Sequence, residues 1–362
     1  MSYRLGGRDG VSIEAAKWCR AFEALGHSVR TVAGEGSADR IVAGLAAGDV
    51  AGPDGAALES ALAGADVVVA ENICSLPLNP SAGEVVARAL RGRPAVLRHH
   101  DLAWQRPDKA RWGPPPDDPA WVHVTVSELS RRQLAAVGIP AITIYNRFDS
   151  GLDALVGSRG EARRLASIDP AATVVLQPTR AIPRKGVAVG LRLARALRAH
   201  YWLTGDAEDG YGGELRELLG GAGVRVSRGL ETLHPALTMA DAYAACDLVV
   251  LPSSWEGFGN PALEGSMAGR PVAVGEYAVA RELMTAGFEW LDASNSGAVG
   301  RQLASPGRIA AMVARNREVA VSRFSLAGLP SELSGLLAKA VVGGCREDGV
   351  RRLEAGGRTE VQ

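Results

Sequence analysis

The chain has no net charge to offer a polyanion. Its 40 Lys and Arg balance 40 Asp and Glu over 362 residues, so no overall field favours nucleic acid as a partner. Its cations are nearly all arginine. Lysine occurs only at Lys17, Lys109, Lys185 and Lys339, which gives the placement of each one added weight. Cysteine is sparse as well. Cys19, Cys74, Cys246 and Cys345 show no CxxC spacing, which argues against a zinc site or a disulfide framework and for a reducing, cytoplasmic setting. No signal-peptide pattern is present, and no run of about 18 uncharged apolar residues could cross a bilayer. No Lys/Arg-rich amphipathic stretch marks a membrane-surface helix.

What the chain does have is regular alternation. Short apolar, β-branched runs ("SVRTVA", "DVVVAE", "PAVLR", "WVHVTV", "AITIY") alternate with Ala/Leu/Arg-rich helical patterns in the first half. A second series follows ("ATVVLQ", "HYWLTG", "VRVSRG", "DLVVLP", "PVAVG"). Continuous apolar runs separated by helices indicate parallel sheets covered on both faces. The fold class is therefore α/β, with two doubly wound, Rossmann-like domains. The expected division is 1–150, 151–342 and a Gly/Arg/Glu-rich tail, 343–362, expected to be disordered. The last helices of the second domain are expected to pack back on the first. Ligands of such sheets bind beyond the carboxyl ends of the strands, so two such domains imply a cleft. At the front, "LGGRDGVSIEAAKWCRAFEALGH" supplies a glycine turn and a helix, but only "MSYR" precedes it. The first strand is thus expected to be truncated, with the true start lying upstream.

Two stretches carry chemistry. In "PSSWEGFGNPALEGSMAGRPV", Glu256 and Glu264 flank a Gly-Phe-Gly-Asn-Pro turn where a strand meets a helix. Asn260 before Pro261 reads as a helix start, with Asn as cap and Pro in the first turn. A helix N-terminus there suits a phosphate, and Gly257 and Gly259 let a ligand approach the backbone. Carboxylates pair with vicinal hydroxyls of sugars or riboses, although a solvated Glu256 and a helix-start acid at 264 fit the same pattern. In "QPTRAIPRKGVAVG", Arg180 and Lys185 bracket a Pro-containing loop between a strand and a helix, able to aim two cations at one anion. A solvated pair is the alternative.

Together these stretches resemble the retaining glycosyltransferases of family 4, which have the GT-B fold and an E-x7-E motif. "LGGRDGVSIEAAKWCRAFEALGHSV" is similar to the family's N-terminal glycine loop and helix. "VTVSELSRRQLAAVGIPAITIYNRFD" is similar to its S-x-x-l…i-x-v-i-x-N-G-v-D segment, with Arg147 where glycine is usual. The resemblance implies a cytoplasmic, metal-independent enzyme with no cofactor, whose donor is a nucleotide-diphosphate sugar, UDP or GDP. The acceptor would be a small molecule, with no integral membrane contact and with oligomerisation left open. Hexosyl transfer is the expected reaction, and the first domain would face the acceptor. The resemblance gives Arg180 and Lys185 the donor diphosphate, Glu256 hydroxyls of the transferred sugar, and Glu264 the ribose. Gly257, Phe258 and Gly259 would offer backbone to the sugar and phosphates, while Gly6 and Gly7 would approach the donor phosphates or the acceptor. The family also carries a histidine near the donor sugar. "AVLRHHDLAW" offers His99 and His100, of which His100 is favoured by its His-Asp pairing, a structural role being the alternative. Glu71, Asn72, Asp101, Trp104 and Arg106 are further candidates for acceptor contact. A nucleotide-sugar epimerase or hydrolase, or a non-catalytic partner subunit on the same fold, are the rival functions.

Overall fold

A computed structural model of the protein describes residues 1–7, 9–151, 159–208 and 210–341. The predicted tail 343–362, including Cys345, lies outside the described residues, as do residues 152–158 of the predicted boundary segment. The chain forms two compact units. Among the described residues, the first comprises those of Met1–Asn146 together with 327–341, and the second those of Arg147–Leu326.

The first unit holds β1 (Ser2–Leu5), β2 (Val32–Gly36), β3 (Arg40–Ile41), β4 (Val68–Glu71), β5 (Ala95–His99), β6 (Trp121–Thr125) and β7 (Ala141–Thr143). They form one sheet in the order β3-β2-β1-β4-β5-β6-β7, every pairing parallel. The four residues of β1 suffice for a central strand: Ser2 pairs with Ala33 on one side and Glu71 on the other. The Tyr3 hydroxyl donates to the carbonyls of Ile73 and Leu76, each at 3.0 Å, which ties β1 to the segment after β4. The helix Gly10–Ala24 then starts on Asp9, whose carboxylate accepts from the Ser12 amide at 3.0 Å, a side-chain cap of the usual kind.

The second unit repeats the scheme with β8 (Val174–Gln177), β9 (His200–Leu203), β10 (Val226–Arg228), β11 (Leu248–Leu251), β12 (Val272–Val274) and β13 (Leu291–Asp292). Their order is β10-β9-β8-β11-β12-β13, again parallel. Every residue of β8 and β11 is buried, as strands covered by helices on both faces must be. Fully burying each Val or Leu contributes about 1.5–3 kcal/mol, so these two strands anchor the unit. The chain leaves β8 toward β9 on one side, while β11 lies on its other side. The strand order therefore reverses between β8 and β11, the switch point where open α/β sheets bind ligands.

The two-residue strands β3 and β13 are too short for a sequence pattern to reveal. No helix among the described residues is long and apolar enough to cross a membrane.

Candidate active site

The loops leaving β8 and β11 meet at the switch point. After β8 the chain makes a 3-10 turn, Pro183–Lys185, and then enters the helix Val187–Ala196 through Gly186. Gly186 has φ +65°, and a Cβ there would lie 2.4 Å from the carbonyl oxygen of Pro252. Only glycine lets the two loops come this close. The Ser254 amide donates to the Arg184 carbonyl at 3.0 Å, and the Gln177 side chain donates to the Lys185 carbonyl at 2.9 Å. Backbone of one loop thus fixes backbone of the other.

This framework sets a buried charge cluster. Lys185 Nζ lies 2.5 Å from Glu256 Oε1. The Ser253 hydroxyl donates to the same oxygen at 2.6 Å, and Arg184 Nη1 approaches Oε2 at 3.3 Å while donating to the Trp255 carbonyl at 2.8 Å. Burial pushes the Glu256 carboxyl up, but Lys185 and then Arg184 outweigh it and hold the group below the ordinary carboxylate range. Burial lowers Lys185, with Glu256 pushing back. Lys185 and Glu256, expected to serve the diphosphate and the sugar separately, are thus one ion pair. Arg180 is not part of it: Arg180 pairs with Glu208 at 2.6 Å, and both side chains are more than a third exposed. An exposed pair of this kind is easily rearranged by a competing anion.

The glycine turn follows. The Phe258 side chain is buried against Phe148 and Phe324, with ring centroids 6.2 Å away in each case, so its ring anchors the turn while its backbone remains at the loop. The helix runs Asn260–Met267, with Gly259, at φ +99°, in the capping position and no side-chain cap bond. Asn260 is therefore the first helical residue and not the predicted cap. The left-handed backbone that starts this helix belongs to glycine, because an L side chain at that φ is strained. Glu264 lies one turn in and accepts from the Tyr243 hydroxyl at 2.6 Å. Burial, and then Glu264, push the Tyr243 phenol well up, so it stays a donor.

In the first unit, Gly6 and Gly7 occupy the turn between β1 and the helix Gly10–Ala24, Gly6 with φ +73°. His100 follows β5, is buried, and its Nε2 lies 2.6 Å from Glu71 Oε2. Burial would raise Glu71, but Arg98 and His100 hold it at about 2. Arg98 is completely buried, 3.3 Å from Glu71 and 3.4 Å from Glu14. Its guanidinium also stands over the Trp18 ring at 4.1 Å. Glu14 in turn takes Lys17 at 2.6 Å. Asn72, with φ 63°, accepts through its side chain from the His100 and Asp101 amides at 3.0 and 3.2 Å. Arg106 pairs with Asp101 at 2.6 Å, and the Trp104 indole donates to Gln133 at 3.0 Å. His99 points elsewhere, stacked on His123 with Nε2 2.9 Å from its Nδ1. His99 is the last residue of β5 and His100 the first beyond it, and the two side chains take different partners, His123 and Glu71. Among the described residues no three His, Cys, Asp or Glu gather as metal ligands.

Residues 172–315 match the family Glycosyl transferases group 1. Mannosylglucosylglycerate synthase of Thermotoga maritima is 26% identical over 356 residues, spanning 80% of this chain and 83% of that protein. The chain is a glycosyltransferase. Its fold is GT-B: the structure of Anabaena Alr3699/HepE in complex with UDP-glucose superposes with a TM-score of 0.70 at 18% identity, covering 93% of this chain and 99% of that one. Sucrose-phosphate synthase from Thermosynechococcus elongatus gives 0.71 at 16% identity, covering 94% and 98%.

Several residues that the glycosyltransferase brings into these clusters were not singled out by sequence. Arg184 stands inside the "PRKG" string, where neighbouring Lys185 drew the attention. Ser253 stands three residues before Glu256 in the same stretch and was passed over, while Tyr243 reaches Glu264 and Glu208 reaches Arg180 from other segments, with no spacing signal. Glu14 and Arg98 read as ordinary helix and strand residues. Their one available signal is a charge within an apolar run, as in "PAVLRHH".

Proposed function

We propose that this glycosyltransferase is a retaining enzyme of family 4 that takes a hexosyl group from a UDP- or GDP-sugar and delivers it to a small soluble acceptor. The observation that carries this is the buried Lys185–Glu256 pair, placed at the sheet's switch point beside the Gly257–Gly259 turn. A buried pair adds little stability once desolvation is counted, so its position at the ligand-binding end argues for use on substrate. The relative's name, a synthase of mannosylglucosylglycerate, supports hexosyl transfer to a small polar acceptor. The UDP-glucose held by the HepE structure supports a nucleotide-sugar donor.

In the reaction the acceptor oxygen bonds to the anomeric carbon on the face from which the phosphate departs. The anomeric C–O bond breaks, and its electron pair stays on the leaving β-phosphate, which takes the acceptor's proton. Lys185, Arg180 and the amides at the start of the helix Asn260–Met267 stabilise the charge that develops on the diphosphate. Fixed donors of this sort are the main catalytic contribution, each supplying ~10²–10³ in rate. Glu256 accepts from hydroxyls of the sugar, and Glu264, oriented by Tyr243, takes the ribose diol. The step needs neither a metal nor a cofactor. In the first unit His100, fixed by Glu71, is the side chain proposed to contact substrate. The free cysteines Cys19, Cys74 and Cys246 support a reducing, cytoplasmic location.

A thermal-shift series with UDP, GDP, UDP-glucose and GDP-mannose tests the donor, since binding to the native state at 100 times Kd stabilises by about 2.7 kcal/mol. One base should raise the melting temperature and the other not. Lys185→Ala and Glu256→Ala should each lower turnover at least ~10²-fold. No shift with any nucleotide, or near-wild-type transfer by both variants, would refute the proposal.

A further inference from the structure

At the carboxyl end of β12, one strand beyond β11, a tyrosine hydroxyl is buried without a partner. Tyr277 precedes the helix Ala278–Thr285 and makes no side-chain capping bond to it. The residue is 2% exposed, and its Oη neither donates nor accepts a hydrogen bond. Leaving such a group unsatisfied carries its full desolvation cost, and phenylalanine would fill the same space without that penalty. Packing therefore accounts for the ring but not for the oxygen.

The oxygen lies against the glycine turn. A Cβ placed on Gly259 would be 2.3 Å from Tyr277 Oη, closer than to any other atom. Gly259 is the residue from which the helix Asn260–Met267 starts. The loop after β12 is seated on the loop after β11: the Gly275 amide donates to the Leu251 carbonyl at 2.8 Å, and a Cβ on Gly275 would lie 2.4 Å from the Ser253 carbonyl oxygen. Burial, and then the charge of Glu256, push the Tyr277 phenol well above its ordinary value. The group is therefore a hydrogen-bond donor at any working pH, with the Glu256 carboxylate as its charged neighbour. The loops after three adjacent strands, β8, β11 and β12, thus carry a lysine, a carboxylate and a phenol: Lys185 pairs with Glu256, and Tyr277 Oη lies at Gly259, three residues after Glu256 in the same turn.

A sugar hydroxyl can donate one hydrogen bond and accept others. An acceptor-only carboxylate and a donor phenol on the two sides of one glycine turn offer complementary partners to such a group. We propose that Tyr277 is a specificity-determining residue of the donor site, its hydroxyl donating to a sugar hydroxyl that in turn donates to Glu256. The assignment rests on the donor reading of this site. It adds a discrimination that Glu256 alone lacks, since a carboxylate accepts from any hydroxyl within reach. A site built to hydrogen-bond one hydroxyl rejects an analogue that lacks it, because the site's own buried group is then left unpaired.

The test is Tyr277→Phe, which removes one oxygen and keeps the ring. Calorimetry would compare wild type and variant with UDP-glucose, GDP-mannose, UDP and GDP. The variant should bind the productive nucleotide sugar about tenfold more weakly, bind the bare diphosphate as wild type does, and melt no lower. Among monodeoxy analogues of the productive donor, one should bind wild type and variant equally, and that analogue identifies the contacted hydroxyl. Unchanged binding of the nucleotide sugar would overturn the proposal. So would an equal loss for sugar and bare diphosphate, which would mark a role in shaping the turn. If the wild-type protein binds none of the four nucleotides, the donor reading fails and the proposal with it. That failure shows in the wild type, before any variant is compared.

Discussion

Replacing Lys185 by methionine keeps the side-chain length and removes the charge. The consequences follow from the geometry around Glu256. Lys185 is 8% and Glu256 6% exposed, so water screens neither. Without the ammonium, Glu256 retains the Ser253 hydroxyl at 2.6 Å and Arg184 at 3.3 Å. Removing one partner of a buried pair costs roughly 3–5 kcal/mol, and the remaining Arg184 places Lys185→Met near ~3 kcal/mol. For a unit of this size that lowers the melting temperature by about 6–12 °C. Glu256→Gln leaves the ammonium with a neutral acceptor and should cost about 2 kcal/mol. The double variant removes both charges, and its cost should stay near ~2 kcal/mol, short of the sum of the single costs by about 3 kcal/mol. Denaturant unfolding followed by tryptophan fluorescence gives the three values. Transfer of sugar from the productive nucleotide sugar should meanwhile fall at least ~10²-fold in all three variants. A double variant no less stable than Glu256→Gln alone, yet inactive, separates a functional pair from a structural one. Additive single costs, or a double variant that transfers at the wild-type rate, would refute the reasoning.

Three further outcomes follow. Arg98→Met leaves Glu14 and Glu71 buried without their shared cation, so the melting temperature should drop by an amount equivalent to about 3–5 kcal/mol, measured by calorimetry. His99 and His123 both titrate below the ordinary 6.5, chiefly through burial. The unfolded chain therefore binds more protons below about pH 6.5, and stability should decline as pH falls from there. Denaturation midpoints between pH 7.5 and 5.5 check this, and His123→Gln should flatten the slope. Gly259→Ala meets both φ +99° and the Tyr277 hydroxyl at 2.3 Å. It should cost about 1–3 kcal/mol and remove the nucleotide-sugar thermal shift.

The strands that carry the site were legible because a strand buried on both faces must be a continuous apolar run, as "DLVVLP" and "ATVVLQ" are. The glycine turn and Glu256 were legible because a helix entered through left-handed backbone next to a carboxylate has a local spelling. The helix cap was not: Asn260 has the right chemistry, but Gly259 supplies the only backbone that fits the turn.

The amino-acid sequence by itself determined the α/β class, the parallel sheets and the segments at their carboxyl ends. Each of these follows from periodicity and from backbone freedom at single positions, both local properties. Tertiary structure alone decided that Lys185 closes on Glu256 while Arg180 turns to Glu208, that Tyr243 holds Glu264, and that Arg98 joins Glu14 to Glu71. It also decided that the Tyr277 hydroxyl lies at Gly259. These are meetings of side chains from distant segments. Their partners are chosen by the order in which β8, β11 and β12 assemble and by the cost of burying a charge alone, neither of which any short stretch of sequence records.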